Sequence, residues 1–428
     1  MLFMGQGRRR FEGAAVMAFV CALGFFQEEA KAQTSLKGAI DSGVPIVDIR
    51  MRYENVDQAN KPRDADAITV RARLGYQTGQ YYGFAALADF DFVQHLGPKH
   101  YFDSIGGGSS ALYPTIADPD LVALNRLQLT YGMRLADTAA ANNVQDLRLT
   151  LGRQRIIFAD ARFIGNVAWR QHEQTYDGIS LVDTSLPATT FTYMYVTRIN
   201  RVFGPSSPAG RWDSHSHFFN LVYGGLLPEL KLESYAYLLD LRQAATLSTA
   251  TYGVRADGNF PLGNGVNAIL NGNYAHQNDY GRNPLSISLS YYMGEAGLTY
   301  HGITGLVGYE VLQGNGAMGF QTPLATLHAF QGWAETFLTK PPNGIKDLYV
   351  RGAYGFAAAP YADKITAAVI YHDFSAEHVS ADYGSEWDAT IEAQIDPNFM
   401  IGTAYANYRG AGPFPDKAVF WLYAGYRY

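Results

Sequence analysis

Two groups of residues in this chain have the types and spacing to do chemistry. The first is a set of arginines on alternate positions: Arg50 and Arg52, then Arg71 and Arg73, with Arg126 and Arg148 at corresponding polar positions further along. Arginine carries a fixed, permanently charged fork that matches carboxylate and phosphate. Several of them facing one narrow aqueous path would favour anions. Asp48, Glu54, Asp89, Asp91, Asp388 and Glu392 are equally available as partners, and arginines so paired would brace a wall instead of selecting a solute. The second group is Asp213-Ser-His-Ser-His217, with the residue types of a hydrolytic triad or a zinc site. Its histidines lie two residues apart with no third ligand at matching spacing. No Gly-x-Ser-x-Gly occurs, and the sole cysteine, Cys21, sits near the N-terminus. No catalytic residue, metal ligand or cofactor is therefore expected. Asp118-Pro-Asp120 and Asp240 are too generically spaced to define a calcium site, and Gly106-Gly-Gly108 gives flexibility without a phosphate loop.

The segments that carry these residues alternate with a period of two, as strands with one wet and one apolar face must. Ile49, Met51 and Tyr53 interleave with Asp48, Arg50, Arg52 and Glu54. Val70, Ala72 and Leu74 interleave with Arg71 and Arg73. Trp387, Ala389, Ile391, Ala393 and Ile395 alternate with polar residues, and Leu285, Ile287, Leu289 and Tyr291 alternate with serines. In a transmembrane barrel the apolar face meets lipid and the polar face lines water.

About 18 such segments, each close to the length a tilted membrane strand needs, can be placed along the chain. Their cores begin near Val44, Ile68, Tyr81, Leu121, Leu147, Tyr176, Phe191, His217 and Leu230, and then near Thr251, Val266, Leu285, Ile303, Lys346, Ile365, Glu386, Phe399 and Val419. Tight connections at 78–80, 226–228 and 396–398 fall on one side. The long ones, around 93–119, 154–174 and 313–344, fall on the other. That sorting predicts an all-β, antiparallel transmembrane β-barrel with short periplasmic turns and long extracellular loops. Phe420, Leu422, Ala424, Tyr426 and Tyr428 give the chain an aromatic-ended final strand, whose closure onto the first would remove both sheet edges.

One long connection is unusual. It holds Arg153, Arg155, Asp160, Arg162 and Arg170, with Asp177 just beyond. Among them lie Ile156, Ile157, Phe158, Phe163, Ile164, Val167 and Trp169. A loop in water has no use for so many apolar side chains. The pattern predicts a constriction loop folded inward against the barrel wall.

The N-terminal stretch reads as a leader rather than as part of the fold. Arg8, Arg9 and Arg10 precede an apolar run from Ala14 to Phe26, and Ala30-Lys-Ala32 supplies a small-x-small cleavage pattern. Residues 1–32 are expected to be removed, leaving 33–428 as a single barrel domain exported to the outer membrane. Losing Arg8, Arg9, Arg10, Lys31, Glu12, Glu28 and Glu29 takes the 33 basic and 39 acidic residues to 29 and 36, a net charge of −7. An acidic chain of this kind argues against a nucleic-acid partner. Its aromatic content is 14%, nearly all Tyr and Phe. Membrane lipid and lipopolysaccharide, an anionic polysaccharide or small anionic solute, and periplasmic export proteins are the expected partners of a monomer.

Several motifs resemble one family. Leu151-Gly-Arg-Gln, Asp160-x-Arg-x-x-Gly165, Trp169-Arg-Gln and Gln174-Thr-Tyr-Asp-Gly are similar to the alginate export family of outer-membrane proteins. So are Gly308-Tyr-Glu310, Phe320-Gln-Thr-Pro-Leu-Ala-Thr-Leu-His-Ala-Phe-Gln-Gly-Trp-Ala-Glu335 and Pro341-Pro-Asn-Gly-Ile-Lys-Asp-Leu348. His172 and Glu335 stand where that pattern has Asn and Asp. The resemblance implies an 18-stranded monomeric barrel passing a polyanionic uronate outward through a basic constriction. The expected function is a porin for anionic, carbohydrate-like solutes. An outer-membrane enzyme acting on lipid or glycan, and a structural or adhesive barrel plugged by its own loops, are the rival readings.

Overall fold

The computed structural model describes residues 34–133 and 146–428; the expected leader at 1–32 lies outside them. A short helix, α1 (Leu36–Asp41), starts at Ser35, whose hydroxyl accepts the Gly38 N–H. Eighteen strands follow. The first nine are β1 (Val44–Gln58), β2 (Ala65–Gln77), β3 (Phe84–His100), β4 (Leu121–Met133), β5 (Leu147–Gln154), β6 (Thr175–Asp183), β7 (Thr189–Asn200), β8 (Arg211–Leu227) and β9 (Leu230–Leu238). The second nine are β10 (Thr249–Gly263), β11 (Val266–Asp279), β12 (Ser288–Tyr300), β13 (Ile303–Leu312), β14 (Ile345–Ala358), β15 (Ala362–Ser375), β16 (Asp382–Gln394), β17 (Phe399–Gly410) and β18 (Lys417–Arg427).

Each strand pairs antiparallel with its neighbours in sequence, and β18 pairs with both β17 and β1, Tyr53 lying opposite Leu422. The sheet thus closes into an 18-stranded barrel with no open edge, which an apolar surrounding requires. Three connections at the turn end are two residues long: 228–229, 264–265 and 301–302. Asn264-Gly265 and His301-Gly302 all have positive φ, the geometry of the I′ hairpin turn that matches strand twist. Tyr81, expected to open a strand, instead bridges Phe84 across Tyr82 and Gly83, both at positive φ, so β3 starts three residues later. The 134–146 connection breaks the expected sorting, since it is long yet falls at the turn end; residues 134–145 lie outside the described residues.

Outward residues form the apolar belt that lipid needs: Ile49, Met51, Val122, Leu298, Ile391 and Leu422 are all exposed. Asp48, Arg52, Arg71, Arg73, Asp388 and Thr390 sit on the opposite faces of their strands, as alternation predicts. The segment around β12 reverses the expectation. Ile287, Leu289 and Tyr291 are buried inside the barrel, while Ser288 is exposed on the outside. The physical reason is that the lumen here is filled with protein, so an inward apolar side chain finds an apolar partner.

That filling comes from two connections at the loop end, 155–174 between β5 and β6 and 313–344 between β13 and β14. Phe163 lies among Tyr235, Tyr291 and Phe320, with ring centroids 5.2–6.0 Å apart. Phe337 packs on Phe374 at 4.9 Å and edge-on to Tyr408 at 5.8 Å. Aromatic pairs of this kind each contribute about 0.5–1.5 kcal/mol beyond simple burial. The barrel therefore has a hydrophobic core inside its wall, made of plug against strand.

Candidate functional site in the lumen

The arginines singled out by spacing lie on the inner wall, and nearly all of them are engaged. Arg50 donates to the carbonyls of Ala168 at 2.9 Å and Trp169 at 3.0 Å, to that of Arg170, and to Gln171 Oε1 at 3.0 Å. Arg52, fully buried, donates to Trp169 O, pairs with Asp118 and lies 3.1 Å from Glu54. Arg71 pairs with Asp48. Arg73 grips both oxygens of Asp91 at 2.7 and 2.9 Å and reaches Glu173 at 2.8 Å. A bulge in β4 sets Asn125 and Arg126 together over Asp89, whose carboxylate takes both side chains and the Arg126 N–H. Arg148 stands apart, exposed toward the turn end of β5.

The residues expected in the constriction loop divide into two sets. Arg153 and Asp177 are not loop residues: they belong to β5 and β6, lie opposite each other in register and pair at 2.7 and 3.1 Å. The other four sit in the 155–174 loop inside the lumen. Arg155 holds Glu173 by two bonds of 2.6 Å, Asp160 takes Arg255 at 2.5 Å, and Arg162 binds Glu310 at 2.6 Å. Arg170 is shared among Glu54, Asp118 and Glu335. Six arginines on this side (52, 71, 73, 126, 155 and 170) thus pair with seven carboxylates (48, 54, 89, 91, 118, 173 and 335), and the seventh, Arg50, is held by backbone carbonyls and Gln171. The wall is charge-balanced, and its arginines bind the plug as much as they face the pore.

Spacing gave no sign that the 313–344 connection forms the other half of the plug. Ile164 and Leu324 bridge in parallel, the Gly165 N–H donates to Leu324 O at 2.8 Å, and the Thr326 N–H donates to Ala161 O at 3.0 Å. Trp169 and His328 stack face to face at 4.1 Å, with both rings edge-on to Trp421 on β18. Further along, the Trp333 and Ala334 N–H groups donate to Asp388 at 3.2 Å and Glu386 at 2.6 Å. The apolar run Phe320, Leu324, Leu327, Phe330, Trp333 and Phe337 was the available signal, being as out of place in a surface loop as that of 155–174. Most residues of the family-like motifs lie in these two loops and their flanking strand ends.

The electrostatics of the plug follow from its partners. Burial works to raise the Glu335 carboxyl, but the adjacent Arg170 guanidinium holds it well below the usual carboxylate range. Glu173 is likewise held down, against its burial, by Arg155 and Arg73. Burial pushes the His328 imidazole below its ordinary value, outweighing the pull of Glu335.

Between the plug and the β10–β18 wall a cavity of about 240 Å³ stays open. It is lined by Trp169, Phe330 and Trp333 from the loops and by Tyr291, Tyr349 and Tyr423 from the strands. Asp160, Glu295, Glu310, Asp347, Arg255, Arg351, His328 and His372 also line it. The Asp213–His217 segment contributes nothing to it. His215 and His217 point outward, with Nδ1 atoms 2.9 and 3.0 Å from the Tyr195 and Tyr193 hydroxyls, while Ser214 and Ser216 are buried and bond to each other at 2.6 Å. Serine and histidine thus lie on opposite faces of β8, and no triad is assembled.

No family model and no curated protein matches the sequence. Solved structures match the fold. OpdK of Pseudomonas aeruginosa, solved with vanillate, superposes with a TM-score of 0.69 at 14% identity, covering 91% of this chain and 99% of that one. OccAB2 of Acinetobacter baumannii gives 0.70 at 15% identity, over 91% and 98% of the two chains. OccK11 (OpdR) of P. aeruginosa gives 0.66 at 15%, over 94% and 98%. These are outer-membrane porins built as 18-stranded barrels. The chain has the fold of an outer-membrane porin.

Proposed function

We propose that the chain is an outer-membrane channel that admits small polar solutes singly, past an internal plug made of two of its own loops. The observation that carries this reading is the plugged but incompletely filled lumen: a lipid-compatible exterior surrounds a polar, aromatic cavity of a size suited to one small molecule. Export by the leader at 1–32 and residence in the outer membrane belong to the same reading. Recognition would come from the cavity and flux from its shallow affinity, since a solute held tightly would block its own path.

The anion preference suggested by the arginines loses much of its support when Arg52, Arg71, Arg73 and Arg126 are each matched by a carboxylate. A polyuronate substrate remains a second reading, favoured by the motif residues that build the plug; it requires both loops to leave the lumen. The test is conductance in planar bilayers, together with liposome swelling by sugars of graded size. Small stepwise currents and swelling limited to small solutes are expected. Folded protein that neither conducts nor swells liposomes would refute the channel, and passage or block by oligouronates would favour the second reading.

A further inference from the structure

The cavity has a chemical preference that the arginine wall hides. Among its lining groups the carboxylates Asp160, Glu295, Glu310 and Asp347 outnumber the guanidiniums of Arg255 and Arg351. Glu295 takes hydrogen bonds from two neutral donors that orient it, Asn271 at 2.8 Å and the Tyr349 hydroxyl at 2.6 Å, and Arg351 is the guanidinium that feels its charge.

A second observation is independent of that count. On the adjoining β15–β16 wall three buried atoms have no hydrogen-bond partner: His372 Nε2, Glu386 Oε2 and Asp388 Oδ1. His372 itself lies between two carboxylates, Nδ1 2.9 Å from Asp347 Oδ1 and Nε2 3.6 Å from Asp388 Oδ2. The two carboxylate oxygens are acceptors, and His372 beside them lines the cavity. Buried acceptors of this kind are costly to leave unmatched. The group that would satisfy them is a donor-rich cation. Trp169, Trp333, Tyr349 and Tyr423 present aromatic surface in the same cavity, which suits both a flat ring and a cation above a ring face.

We propose that this cavity is a binding station for a small ring-bearing solute with a protonated amine, the ring against the aromatic side chains and the amine toward the carboxylates of β12–β16. The inference rests on the channel reading for its physiological meaning but not for its test. The full barrel in detergent is titrated with phenylethylamine, phenylacetate and benzyl alcohol while tryptophan fluorescence is read, Trp169 and Trp333 being the reporters. The same three probes are then added to the protein in a planar bilayer.

The amine is expected to half-saturate at a concentration about tenfold below that of the carboxylate, one such factor being the least a matched charge supplies. Glu295→Gln is expected to erase most of that difference and leave the alcohol unaffected. Phenylacetate binding as tightly as the amine overturns the proposal, as does an amine preference that survives Glu295→Gln. If that variant does not fold, the comparison of probes on the native chain decides alone. Amine binding without any current retires the channel reading and keeps the station, and current without amine binding does the reverse.

Discussion

Arg170→Ala tests whether the plug is held by charge. In the native chain Arg170 is buried and serves Glu54, Asp118 and Glu335, carboxylates supplied by β1, the β3–β4 connection and the 313–344 loop. Removing it leaves Arg52 as the cation still paired with Glu54 and Asp118, and leaves Glu335 beside His328 with Lys417 as its more distant cation. Stripping one partner from a buried ion pair costs about 3–5 kcal/mol when the site cannot relax. This site can relax, because Glu335 is carried by a loop and not by a strand of the wall. Taking the lower bound, about 3 kcal/mol against docking raises the population of undocked plug about a hundredfold. The barrel wall, whose ladder bonds are untouched, stays folded. The assay is single-channel recording of the native and variant proteins side by side, with heat-modifiable gel migration as the check on folding. A large rise in open probability or conductance is expected. A folded variant with native conductance would refute the argument that this triple ion pair fastens the plug.

Acid should loosen the same plug. Docked His328 has its pKa depressed by burial, while a released His328 titrates near about 6.5, so the undocked state binds more protons as pH falls below that value. Glu335 favours protonation of this ring, whereas Arg170 and Arg52 oppose it. Conductance is therefore expected to rise between pH 7 and pH 5, and His328→Gln to flatten that dependence; a native profile that is already flat removes His328 as the cause. Phe163→Ala should weaken docking by about 3–5 kcal/mol through the space it leaves among Tyr235, Tyr291 and Phe320. The measurement is proteolysis of the 155–174 loop in an intact barrel, and unchanged resistance would count against an apolar contribution. Gly308→Ala would set a Cβ 2.1 Å from the Tyr349 ring, pushing the tyrosine off Glu295. It should cost about 1–3 kcal/mol in thermal stability, and a melting temperature equal to the native one would show that the ring has room to move.

Much of the barrel is legible in the sequence because a period of two is a local property. Val44, Leu121, Leu147, Leu230, Val266, Ile303 and Phe399, expected near strand starts, are the first residues of their strands. Alternation separates two faces without naming which is inside, and the Leu285–Tyr291 stretch reverses for that reason: its inward partners, Phe163 and Phe320, come from loops far away in sequence. The arginines are visible from spacing alone. Their neutralisation is not, because Asp118, Glu173 and Glu335 reach them only once three long connections have folded inward. The inward turn of 155–174 follows from its apolar content, and the same content in 313–344 carries the same message.

The stacked pair of Trp169 and His328 lies directly behind the junction where the chain's last strand meets its first. Trp421 and Tyr423 on β18 touch Trp169 edge-on at 5.4 and 5.7 Å, and Arg50 and Arg52 on β1 grasp the backbone beside it. The plug is therefore a splint across the one junction in the wall whose two strands are not consecutive in the chain. Whatever draws the loops outward to open a path also strips that junction of its inner support. The mechanical strength of the cylinder and the width of its passage are consequently set by the same contacts, so selection for a wider resting aperture would act against a wall that resists being unzipped.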